Sequence, residues 1–184
     1  MAWSQHVLRQ FQLVHPNADG NAYLGPWNKL LYTLFPPGGE LADFTVVPNL
    51  QESSSRDGLY LSFSIDVYLD DKPVLLVDIN KKPRNLRYVS KREEADMQIR
   101  RRLRDLSRDC PLPKLFGISA FGTKVRFYGL ETAPGSVIDP PLISPDQDGI
   151  PESQWDNDVL EDSVADELRG VLRSILSPGG CIIA

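Results

Sequence analysis

Cysteine, histidine and methionine are nearly missing from this chain, with two of each in 184 residues. Two cysteines, Cys110 and Cys181, cannot build a disulfide framework, and they are not spaced for zinc. His6 and His15 lie in or beside the first expected helix with no serine or cysteine nucleophile pattern near them. No run approaches the roughly 18 apolar residues that a membrane span requires. The N-terminal MAWSQHVLRQFQLVHP has no basic segment followed by an unbroken apolar one, so no secretory signal is expected. No G-x-x-x-x-G-K-[ST] phosphate loop occurs, and Gly38-Gly39 and Gly179-Gly180 read as turn or linker glycines. Together these absences point to an intracellular protein, nuclear or cytoplasmic.

What is present is an ordinary globular composition, 41% hydrophobic and 24% charged, in a length that suits one domain with a substantial core. The net charge of −5 conceals a segregation. Residues 81–104 hold ten Lys/Arg against three acids, whereas 139–167 hold ten acids and no Lys or Arg. Such a basic block suggests an anionic partner, phosphate or nucleic acid, although a solvated helix face would look similar.

Periodicity supplies the elements. Trp3, Val7, Leu8, Phe11 and Val14 fall on one helical face that Pro16 ends, and GPWNKLLYTLF (25–35) reads as a second helix. A strand is expected at 43–49, then a polar loop QESSSRDG. Next comes LYLSFSIDVYL (59–69), which alternates cleanly, and the turn Asp70-Asp71-Lys72-Pro73 joins it to PVLLVDI as a hairpin. Ser90-Lys91-Arg92-Glu93 has the form of a capping box for a helix to about Ser107, with Ala95, Ile99, Leu103 and Leu106 as its buried stripe and Arg100, Arg101 and Arg104 outward. Two strands follow around KLFGISAF and TKVRFYGLE. A Pro/Asp/Gly-rich loop (134–151) then leads to a last helix at about 158–176. The order ααβββαββα argues for an α/β domain with a single mixed central sheet flanked by helices. The expected organisation is an N-terminal helix (1–21), a domain (22–176) and a flexible tail (177–184).

A turn centred near 71–73 would place Asp66 opposite Asp78. Leu75, Val77 and Ile79 then share a face with Phe63, Ile65 and Val67, while Asp66, Asp78, Asn80 and Lys82 share the other. Like charges across a sheet are unfavourable, so two such carboxylates call for a cation between them or a proton on one. A hard divalent ion, Mg2+ or Mn2+, suits two carboxylates and would polarise a phosphodiester beside a helping lysine. An exposed strand edge with no role is the plainer reading of the same residues.

Asp66, a strand-turn-strand, then Asp78-Ile79-Asn80-Lys81-Lys82 resembles the PD-(D/E)XK nuclease superfamily. The wider run WNKLLYTLFP…FTVVPN…SFSIDVYLDDKPVLLVDINKKP…EEADMQIRRRLRDL…CPLPKLFGISAFGTKVRFY is similar to fungal, chiefly basidiomycete, domains of that superfamily over roughly residues 22–130, and more weakly to about 176 through Trp155-Asp156. The resemblance implies a restriction-endonuclease-like core, Asp66 and Asp78 as metal ligands, Gln98 beside the site, and a basic helix along nucleic acid. Phosphate contacts would then fall to Arg84, Arg87, Lys91, Arg100, Arg101 and Arg104. The chain departs from the family at Asn80, which stands where the lysine is expected; asparagine donates hydrogen bonds but carries no charge. Lys82 lies about 7 Å further along the same face, and a bulge would turn Lys81 inward. Two outcomes follow from this departure. Either a displaced lysine sustains cleavage, or the domain is a catalytically silent module that meets nucleic acid or a protein partner. The terminal Cys181-Ile182-Ile183-Ala184 fits a C-a-a-X box favouring farnesyl, which would add a reversible membrane tether.

Overall fold

The computed structural model describes residues 3–15, 17–55, 58–80, 82–143 and 149–177. Of the expected tail only Ser177 is among them; Cys181, and also Lys81, lie outside. Among the described residues are four α-helices, α1 (Gln5–Gln12), α2 (Leu24–Leu34), α3 (Val89–Leu106) and α4 (Asp162–Leu176), and six strands, β1 (Phe44–Ser55), β2 (Gly58–Leu69), β3 (Lys72–Ile79), β4 (Lys114–Phe121), β5 (Lys124–Glu131) and β6 (Asn157–Asp158). The strands form one mixed sheet in the order β1-β2-β3-β4-β5-β6. Only β3 and β4 run parallel, because a parallel pair needs a crossover and α3 provides it.

The alternation of β3 divides the core. Leu75, Val77 and Ile79 join Val7, Phe11, Trp27, Leu30, Leu31, Val164 and Leu168 in a large cluster built with α1, α2 and α4. Leu76 faces the other way and packs with Ile99 and Leu103 of α3 and with Leu115, Tyr128 and Leu130. The sheet therefore carries three helices on one face and α3 alone on the other. Among the described residues, no helix is long and apolar enough to cross a membrane.

Three local expectations are corrected. The segment expected as a polar loop after residue 49 instead continues β1 to Ser55, in register with β2 down to Ser55 and Gly58. Backbone pairing with a ready partner strand outweighs the weak strand preference of its polar residues. Helix α3 begins at Val89 with Tyr88 as its N-cap, and no side chain caps it, so the Ser90 box does not form. Its first turn is held by Arg92, whose guanidinium donates to the carbonyls of Leu86 and Ile150, both at 2.6 Å. Helix α4 starts at Asp162 rather than near 158, because 157–158 add the short strand β6 to β5.

The β2–β3 hairpin is the element that aims the site. Asp70 and Asp71 both have positive φ, 47° and 63°, which makes a two-residue turn between Leu69 and Lys72. Continued without interruption, that turn would pair Asp66 with Leu75 and point Asp66 to the face opposite Asp78. The register shifts by one residue instead, with Tyr68 opposite Pro73 but Val67 opposite Leu75. Val74 is the extra residue of this bulge, and it is buried in the same cluster as Leu75 beside it. A one-residue shift exchanges the faces of a strand, so the bulge returns Asp66 and Asp78 to one side. Phe63, Ile65 and Val67 do share a face with Ile79, Val77 and Leu75, as expected. The expected direct opposition of the aspartates does not occur: Asp66 faces Leu76, Asp78 faces Ser64, and the two carboxylates are diagonal neighbours. An aspartate tolerates the left-handed conformation at a cost that glycine does not incur, so Asp71→Gly is expected to stabilise the fold by about 1 kcal/mol. Urea unfolding midpoints of the two proteins measure this.

Candidate functional site

Asp66 and Asp78 stand on adjacent strands under α3, with only 2% and 1% of their surfaces exposed. Between them lies the guanidinium of Arg102, itself 8% exposed. Its Nη2 donates to both oxygens of Asp66, at 2.8 and 2.7 Å, and its Nη1 donates to Oδ1 of Asp78. Three amide or phenol groups complete the set. Asn49 Nδ2 of β1 donates to Asp66 Oδ2 at 2.8 Å, and Gln98 Nε2 of α3 donates to Asp78 Oδ2 at 3.1 Å. Tyr68 O–H reaches Asp66 Oδ2 at 3.5 Å. Gln98 and Arg102 are one helical turn apart, so a single face of α3 delivers both to Asp78.

One guanidinium cannot neutralise two buried carboxylates. Burial pushes both carboxyls above their ordinary 3.8, and Arg102 offsets this without cancelling it. For Arg102 burial acts to lower its pKa, but Asp78 and Asp66 together hold it above the ordinary arginine value.

A hard divalent ion does not fit this arrangement. Every oxygen of the two carboxylates already accepts a hydrogen bond from protein, and the cation between them is Arg102. Among the described residues, no group of three or more His, Cys, Asp or Glu could hold a metal ion.

The remaining expected site residues disperse. Gln98 does sit beside Asp78. Asn80, in the position of the expected lysine, ties the end of β3 to β4: its Nδ2 donates to Ser119 Oγ at 3.0 Å and to the Ala120 carbonyl at 2.9 Å. Lys82 does not reach the carboxylates; its Nζ pairs with Asp19 at 3.1 Å, on the segment leading into α2. Beside Gln98 opens a small pocket of ≈ 30 Å³, lined in part by Ser62, Asn80, Asn85, Lys91 and Glu94. That is room for one or two waters.

The basic block also divides. Arg84, Arg87, Arg101 and Arg104 are exposed, and the Arg87 guanidinium lies 4.6 Å from the centre of the exposed Tyr88 ring. Lys91 is half-buried and pairs with Glu94 at 2.7 Å. Arg100, expected to face outward, is buried. Its Nε donates to Asp96 Oδ2 at 2.7 Å and its Nη2 to the Pro140 carbonyl at 2.7 Å. Asp96 also accepts from Arg126 and from the Tyr128 hydroxyl, both at 2.9 Å. The segment after β5 covers this side of α3, and that cover is what the helix pattern alone could not reveal. Burial, chiefly, and then the Asp96 carboxylate raise the Tyr128 hydroxyl well above its ordinary pKa.

The sequence pattern does not assign Arg102, Asn49 or Tyr68 to the carboxylates; there Arg100-Arg101-Arg102 reads as a run for phosphate contact or nuclear import, or as a solvated helix face. A signal for Arg102 existed: it lies seven residues after Ala95 and between Ile99 and Leu106, in the middle of the buried stripe of α3. An arginine there must bring a counter-charge with it.

In comparisons with family models, with curated proteins and with solved structures, nothing matches the chain.

Two outcomes follow from the buried charges. Arg102→Met leaves two carboxylates without their cation and is expected to cost about 3–5 kcal/mol at neutral pH, measured by denaturant unfolding. The pH dependence has a defined sign. Because the folded-state carboxyls are raised, the fold binds protons more readily than the unfolded chain, so this contribution to stability is present in acid and lost as pH rises through the folded values. The stability advantage of wild type over Asp78→Asn should therefore shrink as pH is raised from 3.8 towards neutrality. Paired melts across that range check the sign.

Proposed function

We propose that this chain is a PD-(D/E)XK-like domain, restriction-endonuclease-like in its core, that holds nucleic acid without cutting it. The observation that carries the reading is the Arg102 guanidinium seated between Asp66 and Asp78. A nuclease of this kind needs a metal at those carboxylates and a lysine beside them. Here the carboxylates are spent on an arginine, Asn80 bonds to β4, and Lys82 pairs with Asp19.

Support for nucleic acid comes from the exposed arginines. Arg84 and Arg87 lie on the turn between β3 and α3, Arg101 and Arg104 on α3 itself. Arg87 against Tyr88 offers a cation and an aromatic face together, which suits a stacked base and its phosphate. These contacts read backbone charge rather than sequence.

One observation favours a second reading, a protein partner. The segment after β5 is fastened to α3 by Arg100 at Pro140 and by Arg92 at Ile150, and the sequence from 139 to 167 carries ten acids and no Lys or Arg, a charge that suits a basic protein partner rather than phosphate.

With Mg2+ or Mn2+, wild type and Asp78→Ala are expected to show the same background on DNA and RNA; metal-dependent cleavage by wild type alone would overturn the silent reading. In a salt titration, four arginine contacts imply a log–log slope of magnitude no more than about 4. Replacing Arg84 and Arg87 by glutamate should weaken binding about tenfold or more. No binding even at low salt would leave the protein-partner reading.

A further inference from the structure

The small pocket beside Gln98 opens at the carboxyl ends of β3 and β4, the parallel pair, where Asn80 and Phe121 line it. Open α/β sheets bind their ligands outside such strand ends. The polar groups around the pocket are turned in one sense. Both N–H bonds of the Asn80 amide are committed, to Ser119 Oγ at 3.0 Å and to the Ala120 carbonyl at 2.9 Å. Its oxygen is what that amide has left to offer. Gln98 turns its nitrogen to Asp78 at 3.1 Å, which turns its amide oxygen away from the carboxylate. The Lys91 ammonium, also at the pocket, is matched by Glu94 at 2.7 Å. Behind Gln98, two carboxylates share a single guanidinium, a balance that favours the positive end of an N–H bond. The pocket is therefore rich in acceptors. At ≈ 30 Å³ it admits a group the size of a water, such as an amino group, and no ring.

We infer that this pocket takes the exocyclic amino group of an unpaired base, so that the chain tells cytosine and adenine from uracil. The inference rests on the reading that the chain holds nucleic acid, and it adds base choice to the backbone contacts. Its geometric basis is the turn 83–87. Asn85 lines the pocket, while Arg84 and Arg87 on either side of it are exposed. A strand whose phosphates sit on these arginines brings its bases to the pocket mouth, and the exposed Tyr88 ring offers a face for stacking. Uracil presents a carbonyl oxygen where cytosine presents its amino group. An oxygen set against Asn80 and Gln98 leaves their acceptors without a donor, which is costly away from water. In a duplex the amino group is already engaged with its paired base, so the fit is to a single strand.

The test uses the full chain and fluorescence anisotropy at low salt, with cytidine and uridine oligoribonucleotides of equal length as probes. Wild type is expected to hold the cytidine strand about tenfold tighter. A third strand, of cytidines whose amino groups are dimethylated, should bind no tighter than the uridine strand. Gln98→Met, which removes an acceptor, and Ser62→Val, which narrows the pocket from β2, should each bind cytidine and uridine strands about equally. Replacing Arg84 and Arg87 by glutamate should instead weaken both strands and keep their ratio. Equal affinity of wild type for cytidine and uridine would overturn the inference and leave the nucleic-acid reading standing. So would a preference that survives dimethylation, because the choice would then be made elsewhere. Thermal melts show whether the two pocket variants fold; if neither does, the dimethylated strand decides the matter on wild type alone. Binding of none of the strands would overturn the nucleic-acid reading itself, and this inference with it.

Discussion

Everything around the centre of this sheet depends on Arg102 meeting two buried aspartates. Transferring a single carboxylate into a protein interior is costly, and transferring two side by side is more so. The guanidinium makes the burial tolerable by donating to both at once, and its planar fork presents paired N–H donors in a fixed geometry. α3 is therefore held to the sheet by charge at Asp66 and Asp78 as well as by Ile99 and Leu103 against Leu76. Breaking a link of this kind by removing one partner is costly, because it leaves a buried charge uncompensated. A helix shifted by one residue would leave all three charges without partners.

The same logic recurs one turn away. Asp96 receives Arg100, Arg126 and Tyr128, and Arg100 goes on to hold the carbonyls of Pro140 and Pro141. α3 thus reads less as a basic helix facing solvent than as a spine of buried arginines. One, Arg102, ties it to the sheet; two others, Arg92 and Arg100, bind the loop after β5 across it. Among the described residues of the block, the exposed basic surface is made by Arg84, Arg87, Arg101 and Arg104. The proposed binding function is scaled to that surface, not to the ten basic residues counted in the sequence.

Much of the architecture was legible because it follows from patterns of period two and period three to four. The alternation of 59–69 places Ile65 and Val67 in the core, and the stripe Ala95, Ile99, Leu103 lays α3 on the sheet. Gln98 was placed beside Asp78 by resemblance and is found there. The continuation of β1 through Ser53-Ser54-Ser55 was not legible, since serines carry no strand signal and the pairing with β2 decides the matter. Nor was the direct facing of the aspartates correct, since a two-residue turn and a bulge together set a different register.

By itself the sequence determined which residues are apolar at which spacing, and from that the order of helices and strands and the common face of Asp66 and Asp78. That last point held for a reason the sequence did not display: parity survives because the bulge at Val74 compensates the short turn. Only the tertiary structure decided which cation the aspartates share. Charge pattern along a chain cannot say whether an arginine faces water or an acid from a strand 24 or 36 residues earlier. That choice is made when α3 docks, because a buried guanidinium is stable only where its counter-charges are already waiting.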